Sequence, residues 1–117
     1  LRVARRLIRD YHTRGHSLRE TVERAESVNA GEVNYIRPYK NNAAIHIDSF
    51  HDYEVCILAK YLGNIPNIRE ELTAEYMEEH DLTDLIRVVE SVPPLHTPYV
   101  PLNSIVREFV GGSCYEY

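Results

Sequence analysis

Residues 2–25 constrain the fold more than any other stretch, because they spell out two helices and the break between them. Val3, Ala4, Leu7, Ile8 and Tyr11 recur with the helical period and form one apolar stripe. Arg2, Arg5, Arg6 and Arg9 follow i, i+3, i+4, i+7 spacing on the opposite face. Gly15 ends that pattern. Ser17 with Glu20 then makes an S-x-x-E capping box for a second helix, with Leu18, Val22 and Ala25 turned inward. The spacing predicts a helical hairpin with Arg14 at its tip.

Beyond the hairpin, residues 29–42 contain Gly31, Pro38 and several asparagines, which predicts an extended connection. The following AAIHID, with Ile45 and Ile47 alternating, predicts a short strand at or near a sheet edge. The helical period returns from Phe50, with Tyr53, Ile57, Leu58 and Tyr61 on one face and Gly63 as the stop. Asn67 with Glu70 is expected to cap a helix reaching about Glu79, and Asp81 to begin another with Leu82, Leu85, Ile86 and Val89 inward. Pro93 and Pro94 end it, and a last helix over 103–110 stops at Gly111 and Gly112. The chain is thus expected to be mainly α-helical with one or two short strands.

With 117 residues, 44% apolar and 26% charged, the composition is that of one ordinary globular domain. Cys56 and Cys114 make no disulfide framework, and Cys56 lies in the apolar run VCILA, where a thiol serves as a small hydrophobe; a reducing cytoplasm fits best. No apolar run has the length of a membrane span, and the opening residues are too arginine-rich for a signal peptide. The only methionine is Met77 and residue 1 already lies inside a helical pattern, which reads as a piece of a longer protein.

Formal net charge is −5, but it is distributed unevenly: seven arginines face three acids in residues 1–24, and six basic residues face fifteen acids afterwards. A basic arm on an acidic body points to an anionic ligand near the first segment and argues against the whole surface lying on nucleic acid. Every basic residue of the arm is arginine, which favours planar, bidentate recognition of phosphate or carboxylate oxygens. The plain alternative is a solvated helix face paired with acids of the same chain.

RRLIRDYHTRG resembles the lid segment of uridine kinases and related P-loop nucleoside kinases of the phosphoribulokinase/uridine kinase family, whose motif reads R-x-x-R-D with R-G a few residues later. GEVNYIRPYKNNAAIHIDS is similar to that family's connection and following strand, and NSIVREFVGGS to a C-terminal signature of a bacterial branch. The resemblance implies an α/β parent with a parallel sheet, of which this chain is the C-terminal part. Residues 1–28 would be the lid hairpin, 29–62 the connection, strand and helix, and 63–117 a helical C-terminal segment. It implies ATP and Mg²⁺ as cofactors and a nucleoside, uridine or cytidine, as substrate. Arg9 and Arg14 fall on lid arginines that meet ATP phosphates in catalysis, and Arg6 on an arginine near the nucleoside. His16 stands where the family carries a further lid arginine, and Arg24 where some members carry a glutamine that holds the nucleoside. None of the five glycines precedes a lysine, so the phosphate cradle G-x-x-x-x-G-K-[ST] is missing and the chain alone is expected to be inactive. A strand without neighbours is expected to pair between copies, giving a homo-oligomer through strand exchange.

Three other readings compete. His46, Asp48, His51 and Asp52 in HIDSFHD offer imidazole and carboxylate suited to Zn²⁺ or Fe²⁺, yet with no recognised metal spacing. Nine tyrosines and the basic arm suit nucleic-acid binding, although Tyr11, Tyr53 and Tyr61 fall on inward faces. The acidic run REELTAEYMEEHD suits an adaptor for a basic partner, or simply a solvated helix face.

Overall fold

A computed structural model describes residues 1–116, and the hairpin is its organising element. Helix α1, Arg2–Arg9, runs into a π-helical turn, Asp10–Arg14, and α2 follows as Leu18–Tyr35. Gly15 adopts a left-handed φ of +65°, a conformation that costs a side-chain-bearing residue energy and glycine little. The expected capping box is formed: Ser17 Oγ accepts from the Glu20 N–H, while the Glu20 carboxylate accepts from the Ser17 N–H at 2.9 Å. The Leu18 N–H finds its acceptor in Glu71 Oε2, also at 2.9 Å, so a helix 53 positions away satisfies the start of α2.

Beyond Ala25 the structure departs from the sequence expectation. Residues 29–35 continue α2 rather than forming an extended connection, and Arg37–Asn42 make a 3₁₀ turn with Pro38 near its start. A single glycine in an exposed helix costs only about 1 kcal/mol against alanine, too little for Gly31 to end the helix. The expected strand at 43–48 is absent, as is any strand among the described residues. Ile45 and Ile47 are 78% and 86% exposed, and with no neighbouring strand to take its backbone groups the alternation has nothing to pair with.

The remaining elements return to the hairpin. Helix α3, Glu54–Gly63, packs on α1, with Leu58 and Leu62 meeting Leu7, Ile8, Leu18 and Val22 in the main core. The helix expected over 67–79 is divided into α4, Ile68–Glu71, and α5, Ala74–Glu79. Leu72 turns into the core between them, and Thr73 caps α5 by accepting from the Tyr76 N–H. Asn67 makes no cap bond and is itself left-handed. Helix α6, Thr83–Ser91, packs on α3. The last helix is shorter than expected, α7 being Arg107–Val110, because 101–106 are used in turns that bury Ser104 and Val106. Val100, Val106 and Ile57 form a second, smaller core under Tyr53 and Tyr61.

Arg107 locks this end. It is 7% exposed, and its guanidinium donates to the carbonyls of Thr97 (2.8 Å), Val100 (2.6 Å) and Gly111 (3.4 Å). The end of α2 and residues 36–50 project as an exposed arm. The radius of gyration is 15.1 Å, against roughly 13 Å for a compact chain of this length.

Candidate functional site

The π turn gives the hairpin its chemistry. A π turn widens the helix by one residue per bond, and here the Asp10 carbonyl accepts from the N–H of both Gly15 and His16. That wrapping places the Asp10 carboxylate, 5% exposed, under the tip. Arg9 Nε donates to Asp10 Oδ1 at 2.9 Å, and Arg14 NH1 lies 3.3 Å from the same oxygen. Thr13 Oγ1 donates to the Arg9 carbonyl at 2.7 Å and steadies the turn.

Two of the sequence-predicted residues, Arg9 and Arg14, are therefore brought together on one carboxylate. Each uses a single nitrogen on Asp10; the Arg14 side chain is 53% exposed and that of Arg9 23%. Arg6 lies one turn before Arg9 on the same face, half-buried and without an ion pair among the described residues. Two guanidiniums against one carboxylate leave a net positive tip, and Arg6 adds to it.

His16 and Arg24 form a separate pair on the other arm of the hairpin. Arg24 NH1 lies 2.9 Å from His16 Nδ1 and 3.2 Å from Nε2, so whichever ring nitrogen carries no proton accepts from it. The structure thus brings Arg9 and Arg14 together at the tip, leaves Arg6 a turn earlier on α1, and pairs His16 with Arg24.

The expected ladder is not a free arginine face. Arg2 pairs with Glu32 of α2, and Arg5 forms a bidentate pair with the buried Glu54 while its guanidinium lies over the Phe109 ring. For these two, the plain reading of pairing within the chain is what the structure shows. Sequence reasoning missed Asp10, although the signal was present: an acid four residues before an arginine on a helix is a pairing spacing.

No group of three or more His, Cys, Asp or Glu side chains able to hold a metal occurs among the described residues, HIDSFHD included. Cys56 is half-buried rather than buried, and both cysteines are free thiols. No helix among the described residues is long and apolar enough to cross a membrane.

Residues 1–56 match the model of the Phosphoribulokinase / Uridine kinase family. This is the family that RRLIRDYHTRG resembles, and the matched stretch carries α1, the π turn, α2, the arm and the start of α3. Every candidate site residue lies inside it. No curated protein and no solved structure matches the chain. The elements from α3 onward, including the NSIVREFVGGS segment, lie outside the matched stretch except for the first residues of α3.

Proposed function

We propose that the chain is the lid-bearing C-terminal part of an ATP-dependent uridine kinase-like phosphotransferase, and that Arg9 and Arg14 bind the phosphates of ATP. The observation that carries this reading is the convergence of both arginines on Asp10 within a hairpin similar to that kinase family. A buried carboxylate fixes one edge of each guanidinium and leaves the other donors preorganised for phosphate oxygens, so little side-chain order is lost when the anion arrives. ATP would supply the phosphoryl group. The two arginines would neutralise charge that builds on its oxygens during transfer.

Arg6, on the same face, is assigned to the nucleoside side of the site. His16 holds Arg24 in place at the substrate edge, and His16 borders the phosphates. The Mg²⁺ ligands are assigned, like the phosphate cradle, to residues outside this chain. With no G-x-x-x-x-G-K-[ST] in the sequence, the phosphate cradle belongs to residues outside it. The test is nucleoside-dependent ATP turnover by the full-length gene product that contains these residues, assayed with uridine and cytidine. Turnover with either supports the reading, and its absence with both contradicts it.

A further inference from the structure

The projecting arm carries chemistry that the hairpin tip does not use. Tyr35, Ile36 and Tyr39 are 77%, 65% and 63% exposed, and with Arg37, Lys40 and His46 they line an open groove of about 810 Å³. That volume is within the range of small-ligand sites. The acid bordering it, Glu32, is already occupied: one carboxylate oxygen pairs with Arg2, and the other lies 3.4 Å from Arg37 Nε. Lys40 has no acidic partner among the described residues. The surface is therefore aromatic and net positive on a chain whose formal net charge is −5.

From this juxtaposition we infer that the arm is a second ligand site, one that takes a mononucleotide. Tyr35 and Tyr39 supply ring faces for a base, and stacking of a base on tyrosine tolerates any sequence or base identity. Arg37 and Lys40 supply the charge for its phosphate. A single phosphate satisfies two cations. A longer strand would add further phosphates to a chain whose formal net charge is −5, with only these two cations at the site to meet them. The site stands apart from the tip formed by Arg9 and Arg14 and does not depend on the kinase reading.

The experiment is a titration of the ¹⁵N-labelled chain with adenosine 5′-monophosphate, followed by amide shifts. Saturable shifts confined to residues 32–46 are expected, and adenosine or inorganic phosphate alone should bind roughly tenfold more weakly. Tyr39→Ala and Lys40→Glu should each weaken binding about tenfold; both side chains are exposed, so the fold should hold. Arg9→Ala with Arg14→Ala should leave these shifts unchanged. Shifts confined to residues 5–24 would overturn the inference, as would adenosine binding as well as its monophosphate or the absence of saturable shifts. An eight-residue single-stranded oligonucleotide binding more tightly than the monophosphate would overturn it in favour of a strand, and self-association that buries Tyr35 and Tyr39 in favour of a second copy.

Discussion

Glu54 is wholly buried, and both of its carboxylate oxygens meet Arg5. The bond to Glu54 holds the Arg5 guanidinium protonated more firmly than usual, against the opposing effect of burial. Removing one member of such a pair leaves a buried charge without compensation, which commonly costs about 3 to 5 kcal/mol. Arg5→Ala, which strands the wholly buried Glu54 carboxylate, should lower the unfolding free energy by about that amount in urea titration, whereas the volume-conserving double change Arg5→Met with Glu54→Met should recover most of it. The sequence placed Arg5 correctly on the polar face of α1 but could not show that this face is half covered. Glu54 is 49 positions away and reads locally as an ordinary acid in the first turn of a helix. Asp10 was more legible, since its spacing to Arg14 is a local signal; what was hidden was its burial, which depends on the π turn.

At the scale of elements, the hairpin was the most legible part because all its instructions are local: period, glycine and capping box. Gly15→Ala should cost about 1 kcal/mol through the left-handed backbone alone, since nothing lies within 4 Å of the new Cβ. Gly15→Asn should cost less, because asparagine tolerates that conformation. Differential scanning calorimetry of the two variants separates them. The capping box also predicts a pH response. Bonds from the Ser17 N–H and hydroxyl pull the Glu20 carboxyl below its ordinary value of 4.5, so its contribution is complete above that pH and is lost as acidification proceeds through the lower folded value. Helicity should fall in that acid window in the wild type, and a Glu20→Gln chain should lack this component. The expected strand at 43–48 does not form for a non-local reason: alternation states which face is apolar, but a strand exists only where a neighbour takes its backbone hydrogen bonds.

At the scale of the molecule, α1 is the hub, packed on α2, α3 and α7, while the arm at 36–50 stands outside both cores. Limited proteolysis should therefore cut first within 36–52 and leave the two flanking parts associated; a first cut inside α1 or α3 would contradict this division. We propose that the hairpin tip handles phosphate in catalysis. On that proposal the deciding quantity is kcat, at saturating ATP and nucleoside, of the protein that contains these residues, compared for wild type, Arg14→Ala and Arg9→Ala. Both substitutions should lower kcat by about a thousandfold while leaving the melting temperature within a few degrees of wild type, as expected for arginines that act on the transferred group. Unchanged kcat in both variants would show that the arginines on Asp10 only brace the turn.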